Sequence, residues 1–315
     1  MSDHERTPPL AGLKVADFTW VVAGPVVGRA LADFGATVVR IESGTRIETA
    51  RLMQPFYQGR AGRENSALYG TCNAGKYGLA LNLKTEEGRA VARDLAGWAD
   101  VVAESYAPGQ MASWGLDYAS IREVNPSVVM LSTSLMGQTG PSARLAGYGN
   151  IGASVSGYQD LVGWPDQLPI GPFGPYTDYV GPRFSLVAVL AALDHRRRTG
   201  QGCHLDLAQS EVGVFLLSPQ LAAYFDRGVP AHLAVTSADW ARDPQLGHRG
   251  HLRRLPHDRF GAAFVEGPRY LLSETPGQVT WPAPALGQDN KQVLRGLLGY
   301  DQARYDQVAA SGALA

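Results

Sequence analysis

The sequence predicts a doubly wound α/β fold on a largely parallel sheet, and three observations carry that prediction. Short apolar, β-branched runs recur through the first half of the chain. Helix-period segments separate them, the alternation that a parallel sheet with crossover helices requires. Turn glycines stand where helices should start and stop.

Taken in order, Leu13 to Phe18 reads as a short buried strand. Gly24, Pro25 and Gly28 punctuate the entry to a helix that runs through Phe34, and Gly35 occupies the helix-ending position. Thr37 to Ile41 is the next strand, completing a βαβ unit. Leu79 to Leu83 is strand-like, and Thr85-Glu86-Glu87 supplies an N-cap and an acidic first turn for a helix through Trp98. Asp100 to Glu104 and Ser127 to Ser132 are further strands, with helical sequence between them from Tyr118 to Val124. Gly137 to Pro182 is rich in Gly, Pro and aromatics, a long irregular stretch of the kind that binds ligands. Phe184 to Leu193 is apolar on all sides and reads as a buried helix ended by His195 to Arg198 and Gly200. His204 to Ala208 is a strand and Glu211 to Tyr224 a helix. Beyond Asp226 the pattern gives no clear elements. Residues 1–225 therefore read as one large domain, and 226–315 as a C-terminal segment that returns to it.

Composition narrows the function. The 315 residues are 45% hydrophobic and 18% charged, with a net charge of -1, and no basic stripe suggests nucleic acid. No apolar run has the length of a membrane span, and Met1 to Pro9 lacks a secretory signal, so a cytoplasmic location is expected. Cys72 and Cys203 are too few for a disulfide framework, and neither has a His partner motif. His248 and His251 have helix-face spacing but a glycine between them and no evident carboxylate, so no metal site is expected. Gly147-Tyr-Gly-Asn-Ile-Gly152 fits a dinucleotide-loop pattern, yet no strand precedes it. That pattern alone would support a nucleotide-dependent oxidoreductase. Asp178 can be a loop aspartate that binds nearby N–H groups. Ala23-Gly24-Pro25 can be a tight strand-to-helix turn or a helix N-terminus facing an anion.

Three segments carry a resemblance. The first is Leu10-Ala-Gly-Leu-Lys-Val-Ala-Asp-Phe-Thr-Trp-Val-Val-Ala-Gly-Pro25 with Gly35-Ala-Thr-Val-Val-Arg-Ile-Glu42. The second joins Asn73-Ala-Gly-Lys76, Leu81 to Gly88, Asp100 to Gly109 and Gly115-Leu-Asp-Tyr118. The third is Asp178-Tyr-Val-Gly181 followed by Leu190-Ala-Ala-Leu and Arg198-Thr-Gly-Gln-Gly202. Shorter matches follow at Gly228-Val-Pro230, Asp243 to Leu246 and Pro282 to Gly287. In these segments the chain resembles the class III CoA-transferase family, whose large domain is Rossmann-like.

The resemblance implies that Asp178 is the nucleophile. It implies transfer of CoA between an acyl-CoA thioester and a carboxylic acid through an aspartyl-CoA intermediate. CoA and acyl-CoA are then substrates, and no metal is implied. It places CoA against Val22, Ala23, Gly24, Pro25, Ser43, Lys76, Glu104, Ser105, Tyr106, Ser113, Trp114 and Tyr148. In racemase relatives a catalytic histidine falls where Tyr148 stands, and tyrosine is a poor substitute for a carbon-acid base, which argues against racemisation. Val22, Ser43, Ser105-Tyr106 and Ser113-Trp114 replace polar or basic residues of relatives. The family's small domain, with a glycine-rich loop that covers the intermediate in some relatives, would lie between Tyr224 and Gly228, which here nearly touch. Relatives form interlocked homodimers, so a homodimer is expected, with its topology open. A diverged member with weakened CoA binding, acting on other acyl chemistry or as a non-catalytic partner subunit, is the alternative. Specificity would sit among Tyr148, Tyr158, Trp164, Phe173 and Tyr176, a set that suggests a partly apolar pocket.

Overall fold

The computed structural model describes residues 7–218 except 160 and 165, and 252–314 except 258, 260, 269–274 and 276. The first βαβ unit forms as its pattern requires. β1 (Lys14–Phe18) leads into α1 (Ala23–Asp33) and then β2 (Thr37–Glu42). Gly35 follows the helix with φ of 101°, the left-handed turn that glycine adopts without steric cost.

The chain continues through α2 (Ala67–Asn73), β3 (Tyr77–Ala80), α3 (Glu86–Trp98) and β4 (Val101–Glu104). Thr85 caps α3 by accepting the Gly88 N–H at 3.0 Å. A short α4 (Gln110–Ser113) and α5 (Tyr118–Val124) precede β5 (Val129–Ser134). Then come α6 (Gly149–Val155), α7 (Tyr176–Thr199), β6 (Cys203–Ala208) and α8 (Gln209–Leu216). A hairpin of β7 (Leu252–His257) and β8 (Gly261–Glu266) precedes a π-helical segment (Gln292–Leu297) and α9 (Gln302–Ala310).

Six strands make one parallel sheet in the order β3-β2-β1-β4-β5-β6. Alternate residues feed two cores, as the strand period demands. Val15, Val38, Val101 and Val129 face one core with Val27 and Leu31 of α1 and Leu186 and Val189 of α7. Ala16, Val39, Val102 and Met130 face the other with Val91 and Leu95 of α3, Ile121 of α5, and Val293, Leu294 and Val308 from the C-terminal segment. Burial of each such Val or Leu contributes about 1.5–3 kcal/mol, which is why the strands are apolar on both faces.

Three expectations are corrected. β3 begins at Tyr77 and stops at Ala80, rather than running from Leu79 to Leu83. Side chains of the returning segment close this edge: Asp289 accepts the Gly78 N–H at 2.8 Å and Asn290 the Ala80 N–H at 2.7 Å. The Asn82 N–H then turns away to the Ala313 carbonyl at 2.6 Å. Second, α7 starts at Tyr176, eight residues before the apolar run, and carries Pro182 inside it. Proline removes one backbone donor, whose acceptor would have been the Asp178 carbonyl, but does not stop a helix anchored on both sides by packing. Third, α7 is not buried all round, since Val187 and Leu190 are exposed. The expected segments at Gly228 to Pro230 and Asp243 to Leu246, and the pair His248 and His251, lie outside the described residues. Among the described residues no helix is long and apolar enough to cross a membrane.

Candidate active site

The strand order reverses between β1 and β4, and ligands of doubly wound sheets bind beyond the carboxyl ends of strands at such a point. The residues that leave these two strands meet there. The Trp20 N–H donates to Ser105 Oγ at 2.7 Å, and Trp20 Nε1 donates to the Tyr106 hydroxyl at 2.9 Å. Trp114 packs edge-on to Tyr106 with ring centroids 5.1 Å apart. The guanidinium of Arg46 lies 5.0 Å from the Trp20 ring centre. The result is an aromatic rim with a cation above it.

Beneath this rim the β1–α1 turn is held by buried charge. Val21 has φ of 65°, which a β-branched residue adopts only under constraint. Its N–H donates to Glu48 Oε1 at 3.0 Å, and the Ala50 N–H joins it at 2.9 Å. Arg40 lies between Asp17 and Glu48, 3.8 Å from each carboxylate, and also donates to the Thr19 carbonyl. Lys76 donates to Asp17 Oδ2 at 2.8 Å, to the Pro25 carbonyl at 2.7 Å and to Asn73 Oδ1 at 2.9 Å. Burial alone would push Asp17 up, but Lys76 and Arg40 outweigh it and hold the carboxyl below its ordinary value.

Asp178 occupies the third position of α7, where the positive end of a 24-residue helix favours a carboxylate. It is only 4% exposed. Burial pushes its pKa up to about 6, against hydrogen bonding from the Gly149 N–H and the Gln209 side chain. Neighbouring elements seat that turn. Thr177 Oγ1 lies 3.1 Å from the Gly149 carbonyl and 3.1 Å from Gln209 Oε1. Gln209 follows directly on β6, and the Ser210 N–H donates to the Leu135 carbonyl at 3.0 Å, so the end of the sheet fixes this residue.

The glycine pattern at Gly147 to Gly152 finds its reason here. A Cβ on Gly149 would stand 2.4 Å from the Asp178 nitrogen, and one on Gly152 would stand 2.2 Å from Thr177 Oγ1. These glycines let α6 pack on the first turn of α7, as no dinucleotide loop would require. Gln138 ties the aromatic rim to β6. Gln138, beyond β5, donates from its side chain to the Tyr106 carbonyl at 3.5 Å and from its N–H to Asp206 at 3.0 Å.

The residues that the resemblance places against CoA differ in their burial. The side chains of Val22, Ala23 and Pro25 lie inside, and Gly24 abuts Thr19, where an added Cβ would come within 2.3 Å. Lys76 is 0% exposed with all three donors engaged, so it is an internal cation of the fold. Glu104 is buried, accepts the Tyr106 N–H at 2.7 Å and is pushed up to about 7 by burial, so it shapes the rim rather than lining it. Ser105 is taken by the Trp20 N–H, and exposed Ser113 bonds within its own helix to the Gln110 carbonyl. Ser43 lies 2.9 Å from the Thr45 hydroxyl. Tyr106 and Trp114 do stand together at the rim, while Tyr148 is exposed beside Gly149.

Of the loop aromatics, Tyr158 and Tyr176 pair at 4.8 Å, but Trp164 and Phe173 stand on the surface. Among the described residues none covers the outer side of Trp164 and Phe173, so these do not assemble the five aromatics into one pocket. Burial raises the pKa of both cysteine thiols, Cys72 to about 12. Sequence reading missed Gly149 and Gln209 as partners of Asp178, and Thr177 as the residue that links them. The available signal was position, because Gln209 immediately follows a strand at the ligand-binding edge of the sheet.

Comparison with known proteins gives the family. Residues 10–229 and 223–290 match the model of CoA-transferase family III. The two stretches meet at the junction where the family's small domain is expected to be missing. Succinate--glutarate CoA-transferase of Agrobacterium fabrum is 36% identical over 283 residues, 85% of this chain and 71% of that protein. Succinyl-CoA--D-citramalate CoA-transferase of Chloroflexus aurantiacus is 31% identical over 392 aligned positions, 95% of this chain and 96% of that protein. That alignment is longer than the 315 residues here, so the relative carries sequence without a counterpart. Human succinyl-CoA:glutarate CoA-transferase is 32% identical over 259 residues, 82% of this chain but 55% of that protein. A CAIB/BAIF family protein from Brucella suis superposes with a TM-score of 0.83 at 24% identity, over 93% of this chain and 100% of that one. Fold and relatives together define an α/β transferase. The chain belongs to CoA-transferase family III.

Proposed function

We propose that the protein moves CoA between an acyl-CoA thioester and a carboxylic acid, with Asp178 as the covalent nucleophile. The observation that carries this reading is the buried Asp178 carboxylate on the first turn of α7, at the carboxyl end of the sheet. A carboxylate kept from water but still ionised near neutral pH is a better nucleophile than a solvated one.

The exchange balances without a base. Asp178 Oδ adds to the thioester carbonyl, the C–S bond breaks and the thiolate leaves, giving a mixed anhydride. The thiolate then adds to the Asp178 carbonyl carbon, the acyl carboxylate departs, and an aspartyl-CoA thioester remains. An acceptor carboxylate reverses the two steps. No proton is gained or lost.

The aromatic rim of Trp20, Tyr106 and Trp114 fits an adenine or pantetheine arm lying across the switch point, with Arg46 near its phosphates. Relatives named for succinyl-CoA, glutarate, D-citramalate and oxalate favour short carboxylic acids as acyl groups. The protein working as a homodimer fits the exposed Val187, Leu190, Trp164 and Phe173, which a second copy would cover.

The test is a trap. Incubation with acetyl-, succinyl-, glutaryl- or oxalyl-CoA followed by hydroxylamine should leave a hydroxamate on Asp178, located by peptide mass spectrometry. Absence of that adduct with every donor, in protein that binds CoA by calorimetry, would sink the reading.

A further inference from the structure

We propose that the side-chain amide of Gln209 is a donor to the Asp178 oxygen that carries negative charge when the aspartyl carbonyl is attacked. This rests on the nucleophilic reading of Asp178 above.

Gln209 is 7% exposed, and its position is set by the sheet rather than by its own helix. It leaves β6 at Ala208, which pairs with Ser134, and the Ser210 N–H is tied to β5 through the Leu135 carbonyl at 3.0 Å. Its Cγ packs where a Cβ on Gly181 would stand 3.4 Å away, so the side chain lies flat on α7. One end of the amide is assigned by Thr177. That hydroxyl lies 3.1 Å from Gln209 Oε1, and a hydroxyl donor there turns Nε2 toward the neighbouring carboxylate. The opposite flip would set a carbonyl oxygen against Asp178, which an ionised carboxylate disfavours. Thr177 is fully buried, and its single hydroxyl proton is shared between Gln209 Oε1 and the Gly149 carbonyl, each at 3.1 Å. The residue before the nucleophile thus orients the amide that serves it.

The chemistry needs such a donor at one moment. When the CoA thiolate adds to the Asp178 carbonyl carbon, a C–S bond forms and the π pair moves onto the Asp178 oxygen outside the anhydride linkage. Collapse returns that pair, breaks the bond from the aspartyl carbonyl carbon to the bridging anhydride oxygen and releases the acyl carboxylate. The Gln209 side chain and the Gly149 N–H both hydrogen-bond the Asp178 carboxylate, and donors of this kind at this oxygen would form an oxyanion site. A pre-positioned donor in a buried site is worth about 10²–10³ in rate.

The experiment uses the full chain and single-turnover trapping with the same four acyl-CoA donors. Adduct formation on Asp178 is followed by borohydride reduction and mass spectrometry. Gln209→Met keeps the volume and loses the donor. Its rate at saturating acyl-CoA should fall about 10²–10³-fold, with half-saturation changed less than about threefold. Its acid limb should move to higher pH, because the ionised carboxylate loses a partner. Gln209→Glu retains an acceptor for Thr177 and adds a like charge, so it should shift the acid limb further and carries the test if the Met variant does not fold. Thr177→Val should slow the reaction and Thr177→Ser should restore it, which a purely structural role of the hydroxyl at Gly149 would not link to the pH profile. A Gln209→Met rate within about threefold of wild type, with an unmoved acid limb, overturns the proposal. Wild-type protein that forms no Asp178 adduct overturns instead the nucleophilic reading on which it rests.

Discussion

Replacing Asp178 by Asn should abolish adduct formation and make the protein more stable at pH 7.5. Burial raises the Asp178 carboxyl from 3.8 to about 6. The folded state therefore holds the proton more tightly than the unfolded chain does. Between those two values stability falls as pH rises, and above about 6 the full cost of the buried charge persists. A tenfold change in proton affinity corresponds to about 1.36 kcal/mol, so ionised Asp178 costs the fold about 3 kcal/mol. Asn has the same shape, and its carbonyl can accept from Gly149 and Gln209. It forgoes the favourable interaction of a carboxylate with the helix end, about 0.3–1 kcal/mol, leaving a net gain of about 2–3 kcal/mol. Urea unfolding followed by tryptophan fluorescence reads this directly as a higher midpoint at unchanged slope. The gap between variant and wild type should shrink from pH 7.5 to 5 and close below about pH 4, where both states of the wild type are protonated. A variant no more stable than wild type at pH 7.5, or a gap that ignores pH, would refute the idea that the ionised site is held at the expense of folding free energy.

Three further outcomes follow from the same geometry. The pH profile of kcat/KM should rise through about 6 with a one-proton acid limb and level off above it, since only the ionised Asp178 attacks; stopped assays across pH 4.5–8 would show it, and a flat profile would contradict the assignment. Lys76→Met should cost about 3–5 kcal/mol in urea unfolding, because it strands the buried Asp17 carboxylate, and adding Asp17→Asn should recover much of the loss. Gly149→Ala should lower the trapping rate by at least about 100-fold and destabilise by about 1–3 kcal/mol, because its Cβ would meet backbone atoms of Asp178 and Pro175 that have no freedom to yield; a fully active alanine variant would show that the approach of α6 to α7 is not needed.

Much of this architecture was legible without coordinates. The β-branched runs of β1, β2, β4 and β5, the Thr85 cap and the Gly35 turn each depend on residues within a few positions of one another. Local physics settles such features, and the structure departs from them by a residue or two at most of the strand ends. The larger departures have non-local causes. β3 ends early because Asp289 and Asn290, some 210 positions away, take its edge N–H groups. α7 passes through Pro182 because packing on α6 and α8 holds its first turns. The resemblance places Lys76 against CoA, and only the third dimension shows it paired with the buried Asp17.

The sequence by itself determined the sheet, its parallel sense and the family, and it singled out Asp178 as the candidate nucleophile. Apolar periodicity, capping chemistry and ordered motifs are properties of short stretches of chain, and Asp178 is part of one. The tertiary structure alone decided what surrounds that carboxylate. Gly149 lies 29 positions before Asp178 and Gln209 lies 31 after it. No local rule couples them; the crossing of α6 and α8 over the first turn of α7 does, by excluding water from the carboxylate while placing donors on it. Desolvation and hydrogen bonding act over a few ångströms in space, whatever the separation along the chain, and so the environment of Asp178 became readable only once the chain had folded around it.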